Sequence, residues 1–345
     1  MPEASYPLLI PGYQASRPGI QLGTQLGPEA SDDELTFTRQ LGVEWVMTGL
    51  PDGQHTLERY LALKQRFADH GLQIYRLANH RCHNMEAITL ATPEREARMA
   101  EYLEYIRLLG RAGIHYATYA HMANGIWSSE RELVRGGAPA RALRLDRQPV
   151  GWWINQSWQG ELTHGRRYSE QELWDNYAWF IERVVPVAQE AGVFIGIHPD
   201  DPPVYDLGGI PRCVFGTFEG YRRAIELADS PNIGVCLCVG CWLEGGPAMG
   251  GGVVDAIRWF GARRKLFKVH LRNVTEPLPE GFVETFLDDG YQNMVEVMRA
   301  LAEVEFDGAV ISDHLPGMIG GRYASEAYAV GYMRALVQAV GGDRT

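Results

Sequence analysis

The stretch "AGVFIGIHPDDPP", residues 191–203, places a histidine and two adjacent carboxylates directly after a short apolar run. A run of this length and composition predicts a buried strand, so "HPDD" falls where the strand leaves the core. Polar groups at the end of a buried strand either belong to a site or begin a loop. The other apolar runs of the chain help to decide between the two.

Seven further runs of similar length alternate with segments of helical period, several of which begin at Ser, Thr or Asp and end at Gly. This alternation predicts parallel pairing, and the count of eight predicts closure into a (β/α)8 TIM barrel, with an open doubly wound sheet as the alternative. We expect a single domain over residues 1–345. The eight runs are "GIQLGTQLG" from Gly19, "VEWVMTGL" from Val43, "LQIYRLA" from Leu72, "IHYATYAH" from Ile114, "VFIGIH" from Val193, "IGVCLCVG" from Ile233, "LFKVHLRN" from Leu266 and "AVISDH" from Ala309.

One connection is much longer than the others. Residues 123–168 follow the fourth run and contain Trp127, Trp152, Trp153 and Trp158. Long ordered insertions in a barrel usually lie on the catalytic face, and this density of aromatic residues does not suit disorder. We expect the insertion to serve as a lid and as an oligomer contact.

Composition narrows the class of function. The hydrophobic fraction is 46% and the charged fraction 22%, no run has the roughly 18 apolar residues of a membrane span, and the start of the chain does not resemble a signal peptide. We therefore expect a cytoplasmic protein. With 32 basic and 43 acidic side chains and a net charge of -11, the chain has no basic run suited to nucleic acid. An anionic substrate would need local Arg, His or a metal ion.

The ends of the last four runs carry residues that bind metals. They are His198, Cys238, His270 and Asp313. Because the carboxyl ends of barrel strands meet on one face, the four side chains can converge on one divalent cation. Cys236 could point the same way one layer lower. Cys241 is a further alternative to Cys238.

Two further pairs of polar residues adjoin these candidates. Asp200 and Asp201 either orient the ligands and contact substrate hydroxyls, or belong to an Asp-Pro turn. Arg272 could hold a substrate carboxylate with two hydrogen bonds, and Asn273 lies beside it, although an ordinary salt bridge of Arg272 is the alternative.

The order of these motifs resembles the mannonate dehydratase family of metal-dependent, xylose-isomerase-like barrels. The motifs are "IHPDDPP", "GIPR", "LCVG", "VHLRN", "FVE" at residues 282–284, "GYQNM" and "SDH", with "RALRLD" at residues 141–146 similar to the family's lid segment. The resemblance implies the same four ligands and manganese(II), with Fe2+ or another divalent metal as alternatives. Softness of the thiolate alone would suggest zinc or iron.

The resemblance also implies a reaction, the loss of water from D-mannonate to give 2-dehydro-3-deoxy-D-gluconate. This chemistry needs a base, an electrophile and an acid for the departing C3 hydroxyl. His314 is the candidate for one proton-transfer role and Tyr323 for the other, with Tyr328 as the alternative to Tyr323. His83 and Tyr119 align with family positions and are candidates for substrate contact.

Several departures from the family pattern fall on substrate contacts. Where the family has "WYG" after the first strand, this chain has "LGTQLG". Ser129 stands where the family has an arginine, and Leu287 where it has a histidine. After the last strand, "DHLP" replaces the family's "DHGR". A dehydratase for another aldonate is therefore an alternative, since such contacts decide which hydroxyl pattern fits. Two other functions are alternatives. One is sugar isomerisation or epimerisation on the same barrel, and the other is carbohydrate binding without catalysis. The expected partner is a small sugar acid, without nucleic acid or membrane, in a homo-oligomer.

Overall fold

A computed structural model describes residues 5–341, which contain eighteen strands and eleven α-helices. Residues 1–4 and 342–345 of the expected domain lie outside the described residues. The strands are β1 (Tyr6–Pro7), β2 (Gln14–Ala15), β3 (Gln21–Gln25), β4 (Trp45–Gly49), β5 (Gln73–Ala78), β6 (Tyr116–Tyr119), β7 (Ile126–Ser128), β8 (Glu132–Val134), β9 (Ala138–Ala140), β10 (Ala142–Leu143), β11 (Val150–Trp153), β12 (Gln156–Trp158), β13 (Phe194–Ile197), β14 (Ile233–Cys238), β15 (Leu266–Leu271), β16 (Asn273–Val274), β17 (Phe282–Thr285) and β18 (Ala309–Ser312). The helices are α1 (Asp32–Gln40), α2 (Leu57–Asp69), α3 (His80–His83), α4 (Glu86–Thr89), α5 (Arg95–Arg111), α6 (Glu170–Ala191), α7 (Phe218–Ala228), α8 (Val239–Gly245), α9 (Val253–Ala262), α10 (Met294–Glu303) and α11 (Gly321–Ala339).

Eight of the strands form one parallel sheet in the order β5-β4-β3-β18-β15-β14-β13-β6. The two end strands, β5 and β6, lie side by side, and a parallel bridge between Asn84 and Ala120 joins the chain just beyond them. The sheet is therefore curved into a nearly closed barrel. Each of the eight apolar runs contains one of these strands, so the predicted TIM-barrel architecture is confirmed.

The helices begin where the sequence provides side chains that can accept from free backbone N–H groups. Ser31 before α1 and Ser169 before α6 each form a capping box with the glutamate three residues later. At its other end α6 stops at Gly192, whose φ of 61° is in the left-handed region that glycine adopts without strain. These caps place β13 directly after α6, and with it the start of the candidate site.

The lower part of the barrel interior is aromatic. Tyr13, in the N-terminal segment, donates through its hydroxyl to the Tyr75 carbonyl at 2.6 Å. Tyr75 in turn donates to the Phe267 carbonyl across the barrel at 2.5 Å. Trp45 and Tyr116 complete this buried group. The packed floor leaves the carboxyl ends of the strands as the open face.

Between β6 and α6 the chain forms six short strands, β7 to β12. Strand β10 pairs with β17, and β11 pairs with both β7 and β12. The role of residues 123–168 as a lid and oligomer contact stays a prediction. Within residues 5–341, none of the helices has both the length and the apolar character that a membrane crossing requires.

Candidate active site

Four side chains meet at the carboxyl ends of β13, β14, β15 and β18. His198 Nε2 lies 3.3 Å from His270 Nδ1. Asp313 lies between His270 and Cys238: its Oδ1 is 3.4 Å from His270 Nδ1, and its Oδ2 is 3.6 Å from Cys238 Sγ. All four residues are buried or nearly so. The structure thus brings together the four residues that sequence reasoning proposed as metal ligands.

The spacing of these atoms suits a divalent ion. Ligand atoms around a four-coordinate ion at 2.0–2.3 Å lie about 3.3–3.8 Å apart, and the distances above fall in that range. Two imidazoles, a thiolate and a carboxylate also form a set known for divalent transition metals. Three overlapping groups of ligand-type residues are present: His198 with Cys238 and Cys241, Cys238 with His270 and Asp313, and Asp201 with Cys241 and Glu244.

The two alternative thiols have other contacts. Burial would raise the pKa of Cys238, but a hydrogen bond with Cys241 and the Arg272 guanidinium hold it well below its usual value. Burial and the neighbouring Cys238 raise the pKa of Cys241 well above its usual value, so Cys241 stays a thiol. Cys236 Sγ lies 3.6 Å from His270 Nε2, on the side of the ring away from His198. Cys238 is therefore the best thiolate ligand of the three.

Arg272 lies directly under this set with no exposed surface. Its guanidinium is 2.5 Å from Glu284 Oε1 and 2.9 Å from Glu244 Oε1. It also donates to Cys241 Sγ at 3.1 Å and to Cys238 Sγ at 3.5 Å. Since the protein itself occupies these donors, Arg272 is a structural counter-ion in this structure rather than a free clamp for substrate.

Arg141, from the long insertion, enters the same network. It donates to Asp201 Oδ1 at 2.5 Å and to Glu284 Oε1 at 2.9 Å, and lies 3.3 Å from Glu244 Oε1. Burial would raise the pKa of Asp201, but Arg141 and Arg272 hold it well below its usual value. Buried charges need this degree of pairing to be tolerated. The insertion is therefore fastened to the site by one buried arginine.

His314 follows ligand candidate Asp313 and keeps 37% of its side chain exposed. Its Nδ1 lies 2.8 Å from Glu284 Oε1, while Nε2 is 3.8 Å from Asp313 Oδ1. Burial would lower the pKa of His314, but the carboxylates of Asp313 and Glu284 raise it to about 9. His314 is thus oriented through one nitrogen and leaves the other available for proton transfer.

The other carboxylate of "HPDD" has a weaker partner. Asp200 Oδ1 lies 3.7 Å from Arg212 Nη1, and burial raises the pKa of Asp200 to about 6. Arg212 donates through Nη2 to the side chain of Asn124 and the carbonyl of Gly125, at 2.9 Å each. Asp200 and Asp201 therefore both lie against buried arginines at the exit of β13.

His83 lies on the opposite wall of the site. Its ring stacks on Trp153 with centroids 5.1 Å apart, and its centroid is 6.5 Å from that of His198. Nδ1 of His83 is 2.7 Å from Nη2 of Arg76. The structure thus places His83 beside His198 of the ligand set, and its contact with substrate stays a prediction.

Three of the predicted site residues are not brought to this cluster. Tyr119 is fully buried against Phe180 of α6, because its register opposite Ile197 turns it toward the helices. Tyr323 is 48% exposed and packs edge-on against Phe37. Asn273 donates to the Leu287 and Gln292 carbonyls at 3.1 and 2.9 Å and so holds that loop. The alternative tyrosine, Tyr328, hydrogen-bonds to Asp288.

Sequence reasoning assigned no role to several residues of the network. Glu284 and Arg141 stood in the quoted motifs "FVE" and "RALRLD", so the signal was present but not interpreted. Glu244, in "CWLEGG", gave no signal before the structure showed it under Arg272. Arg76 likewise belongs to an ordinary apolar run.

Comparisons with known proteins agree with this geometry. The sequence model of the D-mannonate dehydratase (UxuA) family matches residues 155–341. Mannonate dehydratase 2 of Halalkalibacterium halodurans is 29% identical over 326 residues, covering 88% of this chain and 92% of the relative. Mannonate dehydratase of Geobacillus thermodenitrificans is 29% identical over 341 residues, covering 90% of each chain.

Solved structures show the same similarity in three dimensions. The mannonate dehydratase of Streptococcus suis superposes with a TM-score of 0.81 at 26% identity, covering 95% of this chain and 96% of that one. An L-ribulose 3-epimerase superposes with a TM-score of 0.62 at 14% identity, covering 93% of this chain and 96% of that one. At that identity the epimerase shares the fold only.

Proposed function

The chain belongs to the D-mannonate dehydratase (UxuA) family, and from this premise we propose that it removes water from D-mannonate to give 2-dehydro-3-deoxy-D-gluconate. The observation that carries the proposal is the convergence of His198, Cys238, His270 and Asp313 beside His314. Ligand-type residues on four successive barrel strands, next to an oriented proton donor, form an arrangement suited to lyase chemistry.

A divalent metal held by these four residues would polarise the substrate's carboxylate or hydroxyl oxygens and make the C2 proton more acidic. We propose manganese(II) in this position, with Fe2+ or another divalent ion as the alternative. The ion would accept the thiolate of Cys238, which Arg272 already stabilises in that charge state. The residues present therefore fit a divalent cation.

His314 is proposed as the acid that protonates the departing C3 hydroxyl. Nδ1 of His314 lies near both Glu284 Oε1 and Arg272 Nη1, at 2.8 and 3.0 Å. Because the raised pKa of about 9 keeps the ring protonated, Nδ1–H donates to Glu284 and the proton on Nε2 is the one that can move. Asp200 and Asp201 are proposed to support His198 and the substrate hydroxyls, and His83 to contact the substrate directly. Tyr323 stays a prediction for the second proton-transfer role.

The expected setting is a cytoplasmic homo-oligomer that acts on a small sugar acid. The acidic net charge of -11 favours neither nucleic acid nor anionic membranes as partners. One barrel over residues 1–345, with residues 123–168 as a lid and subunit contact, completes the proposal.

The test is a product assay with a panel of substrates. Metal-free protein is reconstituted with manganese(II), incubated with D-mannonate, other aldonates and the matching aldoses, and scored for 2-keto-3-deoxy acids and for isomers. We expect a keto-deoxy acid from D-mannonate. Turnover should be lost in His198→Ala and Cys238→Ala together with the bound metal, and in His314→Gln with the metal retained.

Two results would contradict the proposal. An isomer formed from an aldose, with no aldonate consumed, would assign the chain to sugar isomerisation or epimerisation. A keto-deoxy acid from another aldonate only would preserve the reaction and change the substrate. Tyr323→Phe and Tyr328→Phe, assayed side by side, test the remaining tyrosine assignment.

A further inference from the structure

Two cationic side chains near the ligand set lack a carboxylate at ion-pairing distance among residues 5–341. They are Arg76 and Lys268. Arg76 donates to His83, and its Nε is buried without a hydrogen-bond partner. Lys268 is 1% exposed, two residues before His270 on the same face of β15. Lys268 has an anionic neighbour in the thiol of Cys236: burial would raise the pKa of that thiol, but His270 and Lys268 lower it to about 6. Burial still lowers the pKa of Lys268 to about 8. Arg76 has no such anion among residues 5–341, and an unpaired cation that is partly buried is costly.

Two β-bulges account for the placement of these cations. The register of β4 and β5 shifts between Val46 and Met47, so that Tyr75 is the extra residue and Arg76 faces Met47. The register of β14 and β15 shifts between Val235 and Cys236, which sets Lys268 opposite Cys236. Bulges are common near active sites because they redirect side chains.

The contact with Arg76 fixes the protonation of His83. A guanidinium has donors and no acceptor, so Nη2 of Arg76 must donate to Nδ1 of His83 at 2.7 Å. Nδ1 therefore carries no proton, and in the neutral ring Nε2 carries it. No hydrogen bond to this Nε2 occurs within the part of the chain that the structure describes. The stack on Trp153 holds the ring plane.

The arginine that sequence reasoning offered as a carboxylate clamp is already engaged. Arg272 is surrounded by Glu284, Glu244 and the two thiols, and it has no exposed surface. Arg76 and His83, by contrast, are only partly buried. Nη1 of Arg76 and Nε2 of His83 have no hydrogen bond within the described residues and, unlike Nε of Arg76, are not enclosed. A substrate anion near the metal ligands would meet these donors first.

We propose that Arg76 and His83, with the charge of Lys268 behind them, form the subsite that binds the carboxylate of the sugar acid. This inference rests on the proposed function, since it assumes an aldonate substrate. Nη1 of Arg76 and the Nε2–H of His83 supply donors for the two carboxylate oxygens. His83 is then a hydrogen-bond donor in the reaction and not its base.

The first test measures preference for a carboxylate. Manganese-loaded full-length protein carrying His314→Gln is titrated calorimetrically with D-mannonate, D-gluconate and the neutral alditol D-mannitol. We expect the aldonates to bind more tightly than mannitol. Arg76→Met or His83→Phe should weaken aldonate binding by about tenfold or more and leave mannitol binding unchanged, since each removes a charge-assisted or neutral donor.

Matched variants separate this role from general damage. His83→Gln retains an N–H donor and should keep most of the preference, whereas Arg107→Met, on the exposed face of α5, should change nothing. Unchanged aldonate binding in Arg76→Met and His83→Phe would overturn the subsite. If the unmodified protein does not turn over D-mannonate but aldonates still bind more tightly than mannitol, the proposed substrate is contradicted and the carboxylate subsite is not.

The second test needs no substitution in the measured protein. Nitrogen-15 NMR of the histidine rings in the metal-free full chain reports which nitrogen is protonated, with the His83 signal assigned by its absence in His83→Gln. We expect a neutral ring with the proton on Nε2. A proton on Nδ1, or on both nitrogens at pH 7, would overturn the assignment of Arg76 as the residue that fixes His83.

Discussion

Gly240 shows how much the site depends on single atoms. A methyl group at this position would lie 1.9 Å from Nε and 2.7 Å from Cζ of Arg272. Arg272 cannot move aside cheaply, because its guanidinium is fully buried between carboxylates and thiols. The absence of a side chain at residue 240 is therefore a condition for the charge network under the metal ligands.

The corresponding prediction concerns stability. Gly240→Ala should lower the free energy of unfolding by about 2–4 kcal/mol, from steric overlap and loss of buried ion pairs, measured by urea denaturation. Gly331→Ala is the matched control, since nothing lies within 4 Å of the added methyl in α11. It should be neutral or gain up to about 1 kcal/mol. Equal stability of both variants would show that Arg272 is not tightly held.

Among the elements, α6 determines how β13 enters the barrel. Ser169 and Glu172 cap its first turn, and Arg166 lies 2.8 Å from Glu172. The Arg166 contact and the hydrogen bonds from Ser169 lower the pKa of Glu172 to about 2. An acid with a lowered pKa stabilises the fold above its unfolded pKa of about 4.3, and that contribution is lost as the pH falls toward 2.

Glu172→Gln should therefore destabilise the protein near neutral pH and have little effect near pH 2. The side chain is 42% exposed, so solvent screens the pair and the expected loss is about 0.5 kcal/mol. Urea unfolding from pH 7 down to pH 2 measures the difference from the unmodified chain. Glu190→Gln, near the other end of α6, is the control. If the difference in unfolding free energy between Glu172→Gln and the unmodified chain stays constant with pH, the ionised Glu172 does not stabilise the start of α6.

The strands and their order followed from the sequence because apolar runs and caps are local signals. The convergence of His198, Cys238, His270 and Asp313 could be predicted as well, since strand ends meet on one face, while their role as ligands stays a prediction. Tyr119 shows the limit: its side chain faces α6 because of the pairing register with β13, which depends on tertiary contacts. The partners of Arg272 include Glu244 on α8 and Glu284 on β17, which are distant in sequence, so no local pattern could indicate them.

On the scale of the whole molecule, the chain divides its charges between two tasks. Arg141 and Arg272 neutralise a buried group of carboxylates beneath the ligands. Arg76 on β5 has no carboxylate partner among residues 5–341 and remains available to an anion. Lys268, on the facing strand β15, has the thiol of Cys236 as an anionic neighbour opposite it. An acidic protein can in this way accept an acidic substrate, because the attraction is local to the strand ends.

The position of the metal tests the central claim most directly. Crystals of the full chain loaded with manganese(II) can be measured at the manganese absorption edge to locate the ion by its anomalous scattering. We expect one peak within bonding distance of His198, Cys238, His270 and Asp313. A peak among Asp201, Cys241 and Glu244, or no bound ion at millimolar manganese, would contradict the metal centre on which the proposed dehydration depends.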